Sequence, residues 1–363
     1  MQAFSYTANP SRVVFGPGAL AELPREIDRL GARRALVLCT PEQQDAARRV
    51  AALLGERAAG IFAGAAMHVP IETARQAREE ARQRGADCAV AIGGGSTTGL
   101  GKAIALDSGL PILAIPTTYA GSEMTPIYGL TEAGIKKPGR DPRVLPRTVI
   151  YDPELTLSLP LGLTVTSLFN AIAHAAEGLY AQDGNPITTL MAAEGIRASA
   201  AALAPLRRDP QDLAARGDAL YGAWLCGSVL GSVSMGLHHK LCHTLGGSFN
   251  LPHAEVHSVI LPHALAYNAQ HAPQAMAQIA TALGARRAEA EAGDTGAAPR
   301  RLHALLREHG APLSLRAIGM TADGLDRAAD LAAAHPYPNP RPLERAALRA
   351  LLQRAFDGAE PQP

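Results

Sequence analysis

Twelve histidines are spread over 363 residues, yet six of them (His238, His239, His243, His253, His257 and His263) fall within 26 positions. Imidazole titrates near neutral pH and is a common metal ligand, so such a crowd points to acid–base chemistry, metal chemistry or both. His239 and His243 stand i, i+4 in LHHKLCHTLGG, and Asn170 and His174 repeat that spacing in LFNAIAHAAE. Residues four apart project from one helix face. His253 follows ten residues after His243, just past Pro252. Asn170, His174, His239, His243 and His253 form the candidate catalytic set. His238, His257 and His263 read instead as residues that satisfy helix ends or surface hydrogen bonds.

A second signal is Gly93-Gly94-Gly95-Ser96, which follows the apolar run CAVAI and opens a helical stretch. Bare backbone N–H groups at a helix N-terminus stabilise an anion, so this loop is a candidate phosphate cradle. Thr117 and Thr118, at the end of PILAIPTT, add hydroxyls at the carboxyl edge of a neighbouring strand, where open α/β sheets bind ligands. The loop is not GxGxxG and follows roughly the third strand read from the sequence, which disfavours an ordinary Rossmann dehydrogenase. The expected carboxylate for an adenosine ribose is replaced by Cys39-Thr40-Pro41, so a 2'-phosphate is not repelled and NADPH is expected beside NADH.

These groups need elements to hold them. From residue 33 to 116, β-rich runs (RALVLC, AGIFAG, CAVAI, PILAIPTT) alternate with helical patterns at Glu42–Leu54 and Ile71–Arg84, which predicts parallel βαβ units. After a turn segment from Lys136 to Arg147 and the strand RTVIYDP, the chain becomes Ala- and Leu-rich with helical periodicity. The reading is an α/β dinucleotide-binding domain with a Rossmann-like parallel sheet at 1–158, followed by an all-α catalytic domain at 159–363. Ala285 to Arg300 reads as a solvated helix or loop, and the long helix bearing His174 as Thr164 to Tyr180.

A net charge of +1, 4% aromatic residues and no basic stripe give no motive for nucleic-acid binding. No apolar run is long enough to span a bilayer, and MQAFSYTANP lacks a signal pattern. Cys39, Cys88, Cys226 and Cys242 are in no CxxC spacing and read as reduced, buried thiols of a cytoplasmic protein.

Across nearly its full length the chain resembles the iron-containing alcohol dehydrogenases. The cues are RVVFGPGAL, GGGS with Lys102 after it, IPTT followed by GSE, DPELTLSLP, the N/D-x-x-x-H-A-x-E helix, and H-x-x-x-H-x-L-G with a later Pro-His. The resemblance implies a dehydroquinate synthase-like fold, a homodimer, and metal ligation by an aspartate at the position of Asn170 and histidines at those of His174, His239 and His253. It places His243 near the nicotinamide. Asn170 is a neutral amide, a much poorer ligand for a divalent ion than carboxylate. Gly99 stands where an acidic residue is usual, and the spacer Tyr119-Ala120 is one residue short. With MHVPIET, KKPGRDPRVLPRTVIYDP and NPRPLERAALRALLQRAF, these departures resemble the branch of that family that reduces maleylacetate.

Chemistry fits the departures. Reducing a ketone creates an alkoxide that a bound cation stabilises. Hydride addition to a conjugated enone yields an enolate, a weaker base that hydrogen-bond donors can hold. The expectation is therefore an NADH- or NADPH-dependent enone reductase that needs no metal, with His243 or His253 donating the proton. The alternative is a metal-dependent alcohol or lactaldehyde-type dehydrogenase. A dicarboxylate substrate calls for basic groups, and Lys102, Lys136, Lys137, Arg140 and Arg143 are the candidates.

Overall fold

The computed structural model describes residues 3–9, 11–133, 135–286, 293–334 and 337–362. Side chains of residues 135 and 136 lie outside that description, and with them the expectation for the ammonium of Lys136. Contacts divide the chain into an α/β unit, Thr7–Leu159, and a helical unit, Pro160–Pro363, with which Met1–Tyr6 is grouped.

The α/β unit is built on a six-stranded parallel sheet in the order β1-β8-β5-β4-β2-β3. The strands are β1 (Arg12–Phe15), β2 (Ala35–Leu38), β3 (Ala58–Phe62), β4 (Cys88–Gly93), β5 (Ile112–Pro116) and β8 (Thr148–Tyr151). Their near-continuous apolar sequences suit strands covered on both faces. Val37, Val90 and Ile92 pack with Leu23 and Ile27 of α1 (Leu23–Arg29) and Val50 of α2 (Gln44–Leu54). Leu36, Leu38 and Ala89 face the opposite layer, against Ala74 and Ala77 of α3 (Ile71–Gln83) and Leu100 and Ile104 of α4 (Gly95–Ser108). Alternate residues of one strand thus serve two cores, the period-two signature of a pleated strand.

Two departures from the sequence reading occur here. RVVF forms β1, so the glycine loop follows the fourth strand in chain order. Ile135–Arg140, which from Lys136 onward reads as part of the turn segment, is β7, paired antiparallel with β6 (Ile127–Glu132) from Glu132↔Ile135 to Ile127↔Arg140. Pro138 and Gly139 masked the strand signal, yet a two-stranded ribbon leaves one edge unpaired and tolerates a proline.

In the helical unit, α5 (Leu161–Gly178) is buried from Thr164 to Gly178. It packs with α6 (Pro186–Arg208) and α7 (Leu213–Ser232). Asn185 caps α6 through a reciprocal box with Thr188, and Asp212 caps α7. Gly195 lets α6 approach α7, since a Cβ there would sit 2.7 Å from Cys226 Sγ. Next come α8 (Leu237–Phe249) and α9 (His253–Asn268). Their apolar faces share a core with the helices Gly324–Ala333 and Arg345–Asp357, through Leu241, Leu245, Val256, Ile260, Leu325 and Leu352. Of the stretch Ala285 to Arg300, residues 287–292 lie outside the described set, and Ala297 opens the helix Ala297–Glu308. Among the described residues no single helix is long and apolar enough to cross a membrane. All four cysteines are buried and free.

Candidate functional site

Three helices of the helical unit bring six of the twelve histidines together. Helix α5 carries Asn170, His174 and Glu177, which recur at i, i+4 and i+7 and so share a face. Helix α8 carries His238, His239, Cys242 and His243, and the first turn and a half of α9 carries His253 and His257.

Glu177 organises the cluster. Its carboxylate is buried and accepts the backbone N–H groups of Gly236 (3.1 Å), His238 (2.8 Å) and His239 (3.2 Å). These are N–H groups at the start of α8, which have no partner inside that helix, and the carboxylate also meets the positive end of its dipole. The same carboxylate takes the ring N–H at His239 Nδ1, 2.6 Å away. An ionised carboxylate only accepts, so His239 carries its proton on Nδ1 and presents a lone pair at Nε2. That lone pair faces His174 Nδ1 at 2.8 Å, which must then be the donor. Glu177 therefore fixes the tautomers of two rings in series.

A second imidazole pair lies alongside, with His238 Nε2 and His257 Nδ1 2.9 Å apart. Burial pushes both rings well below the ordinary histidine range, with help from His239 and His253 for His238 and from His253 first for His257, so both are neutral. Cys242 Sγ stands 3.5 Å from His238 Nε2. Burial raises its thiol well above the ordinary value, and the charge of Glu177 adds to this, leaving it protonated and inert. His238, Cys242 and His257 place one donor atom each within 4.8 Å of the others, the group of this kind found among the described residues.

The expected catalytic residues are close neighbours in space. Ring centroids are 5.0 Å apart for His174 and His239, 6.2 Å for His239 and His243, and 4.4 Å for His253 and His257. Asn170, His174 and His239 are buried within the helical unit, His253 is half-buried and His243 is exposed. His263 lies apart, beside His303. Glu177 was passed over as a site residue, although its spacing of three from His174 in the same motif carried the signal. His238 and His257, set aside as structural, are integral to the buried cluster.

In the α/β unit the glycine loop is shaped for close approach. Gly93 has φ +150°, and a Cβ on it would lie 2.5 Å from Thr97 Oγ1 and 2.6 Å from Gln43 Oε1. A Cβ on Gly94 would press on Thr118 at 3.1 Å. Gly94, Gly95 and Ser96 are partly exposed at the opening of α4. Thr117 donates its N–H to Gly93 O (3.0 Å) and accepts from Gln43 Nε2 at its hydroxyl (2.9 Å). These residues fit the phosphates of a dinucleotide, which need bare N–H groups at a helix start.

The basic candidates fare differently. Lys102, expected at a substrate carboxylate, is fully buried and points inward. Its ammonium donates to Ser122 O (2.7 Å), Ser122 Oγ (3.3 Å), Thr125 Oγ1 (2.9 Å) and Ile127 O (2.7 Å), tying α4 to the base of the β6–β7 hairpin. Burial lowers its pKa to about 7. Lys137 pairs with Glu132 at 2.6 Å and Arg143 with Asp141 at 2.7 Å, both on the surface, while Arg140 is exposed on β7.

Two family models match the chain, the iron-containing alcohol dehydrogenase model over residues 10–153 and the C-terminal model of that family over 164–356. The sequence is 67% identical over 361 residues to a maleylacetate reductase of Burkholderia cepacia, covering 99% of this chain and 100% of that protein. It is 56% identical over 362 residues to one from a Rhizobium species, covering both chains fully. The crystal structure of a maleylacetate reductase from Agrobacterium tumefaciens superposes with a TM-score of 0.93 at 55% identity, covering 99% of this chain and 100% of that one.

Proposed function

The chain belongs to the iron-containing alcohol dehydrogenase family, and from that membership we propose that it uses NADH or NADPH to reduce the carbon–carbon double bond of maleylacetate to 3-oxoadipate, in the degradation of aromatic compounds. The observation that carries the reading is the full-length identity of 67% with a maleylacetate reductase. The enzyme is an oxidoreductase whose partner is a small dicarboxylate, and we read it as a cytoplasmic homodimer.

A nicotinamide cofactor held on the glycine loop would supply the hydride, and the carbon β to the ketone is where it adds. Charge then passes into an enolate, and one proton completes the reaction. In this reading Asn170, His174, His239, His243 and His253 form the polar wall of the site; Asn170, His243 and His253 offer the donors for the enolate oxygen, while the ring N–H groups of His239 and His174 are taken by Glu177 and His239. His243 is the proton donor of choice because its ring is exposed and can be recharged from water each turnover, with His253 the alternative. Gly93, Gly94, Gly95, Ser96, Thr117 and Thr118 hold the cofactor phosphates.

The reading needs no metal, and the donor set supports it. A zinc-type ion sits about 2.0–2.1 Å from each imidazole nitrogen and keeps tetrahedral ligands more than about 3 Å apart. The nitrogens of His174 and His239 are 2.8 Å apart and share a proton instead. Asn170 brings no charge to offset a cation. The residues present therefore do not fit a divalent ion at His174, His239 and His253.

The test is NADH and NADPH oxidation at 340 nm on adding maleylacetate after EDTA treatment, with lactaldehyde as the control carbonyl. The expected result is fast oxidation with maleylacetate alone, undiminished by chelation. Activity on lactaldehyde alone, or only after zinc or iron is restored, overturns both the substrate and the metal-free mechanism.

A further inference from the structure

Strands β2 and β4 are neighbours, but the chain leaves them in opposite directions, outward to β3 from one and toward β5 from the other. A parallel sheet opens a crevice at the carboxyl ends of strands whose connections part in this way. One wall is the glycine loop at the end of β4. The other is the turn at the end of β2, where Thr40 leads into the short helix Pro41–Gln43. The walls touch, since Gln43 Nε2 donates to Thr117 Oγ1 at 2.9 Å and Gln43 Oε1 would be met by a Cβ on Gly93 at 2.6 Å. Next to Gln43, Glu42 is exposed, and the Thr40 hydroxyl donates to its carboxylate, which ties that group to the turn after β2 and favours its ionised form.

A dinucleotide whose phosphates rest on Gly93–Ser96 has its adenosine ribose one sugar away along the crevice, on the side of β2. We propose that Glu42 reads that ribose, its carboxylate accepting the 2'-hydroxyl of NADH and repelling the 2'-phosphate of NADPH, so that the chain favours NADH. This rests on the nicotinamide-dependent reading above and supplies the cofactor preference. It reverses the expectation drawn from Cys39-Thr40-Pro41, because the acid stands in the turn rather than at the strand end. A doubly charged phosphate about 5 Å from a carboxylate in water-like surroundings is disfavoured roughly tenfold.

The test is equilibrium binding to the purified full-length chain without substrate, using the fluorescence of NADH and NADPH, with 5'-AMP and 2',5'-ADP as competing probes. The wild type is expected to bind NADH and 5'-AMP more tightly than their 2'-phosphorylated counterparts. Glu42→Gln should tighten NADPH and 2',5'-ADP roughly tenfold and weaken NADH. Glu42→Lys should shift the ratio further. Comparing ratios within one variant cancels any loss of folded protein. A wild type with no preference for NADH, or a Glu42→Gln ratio within about twofold of wild type, overturns the assignment. If both cofactors bind but maleylacetate causes no oxidation, the substrate reading fails and the ratio still decides the role of Glu42. If neither cofactor binds, both fail.

Discussion

Replacing Glu177 with glutamine removes the charge, and one of the two acceptor oxygens, from a buried side chain that takes four N–H groups. Glutamine offers one oxygen and one two-donor nitrogen. Its oxygen is best placed where Oε2 stands, since that atom serves Gly236 N (3.1 Å), His239 N (3.2 Å) and His239 Nδ1 (2.6 Å). The amide nitrogen then faces the backbone N–H of His238, which Oε1 holds at 2.8 Å, donor against donor. An unsatisfied buried N–H costs about 1–3 kcal/mol, and each bond to a charged acceptor falls from about 1.5–3 toward about 1 kcal/mol when the acceptor becomes neutral. The combined loss is about 4 kcal/mol, equivalent to roughly 10 °C in the melting temperature of a domain of this size. Thermal melts followed by circular dichroism read this directly. Glu177→Asp, which keeps the charge at a shorter reach, should melt between the two. At a temperature where Glu177→Gln is folded, kcat with NADH and maleylacetate should fall roughly tenfold, the effect of losing about 1.4 kcal/mol of transition-state support. A melting temperature within about 2 °C of wild type would show that the carboxylate neither caps α8 nor anchors His239, and would refute the argument.

Gly93→Ala, with its Cβ aimed at Thr97 Oγ1 and Gln43 Oε1 and a backbone at φ +150°, should weaken NADH binding more than about tenfold while the far-ultraviolet spectrum is unchanged. Unaltered affinity in a fluorescence titration would remove the loop from the cofactor site. Burial lowers the pKa of His263 to about 4 from an ordinary value near 6.5. The unfolded chain therefore binds the extra proton first as pH falls. The contribution of His263 to stability is complete above pH 6.5 and is lost progressively down to about pH 4. His263→Gln should flatten the fall of the unfolding free energy from urea titrations over that window by up to about 1.4 kcal/mol per pH unit, and an unchanged slope would contradict the assignment. Asn170→Asp should convert a chain that leaves a zinc-loaded desalting column metal-free into one that retains zinc, read by elemental analysis. Equal metal content in both chains would show that the amide is not what excludes the ion.

Much of this protein was legible locally. Strand and helix alternation from Ala35 to Pro116, the glycine loop at the start of α4 and the i, i+4 pairs on α5 and α8 depend on periods of two and 3.6 and on the conformations glycine permits. Those properties belong to neighbouring residues and need no tertiary partner. Short or interrupted elements escaped, such as β1, four residues long, and β7, whose KKPGR mixes a strand with turn residues. Lys102 shows the limit for side chains. Its sequence position beside GGGS suggested a ligand contact, but Ser122, Thr125 and Ile127 supply four acceptors that draw the ammonium inward.

The sequence by itself determined which groups were available: a crowd of imidazoles, a neutral amide where a carboxylate would suit a cation, and bare glycines at a helix start. Only the tertiary structure decided what those groups are. Glu177 became a cap and a tautomer lock because α5 delivers it to the N-terminus of α8, some 60 positions away along the chain. His238 and His257 became neutral because packing removes water from both rings. Hydrogen-bond partners and solvation depend on positions in space, and distant segments take those positions only when the chain has folded.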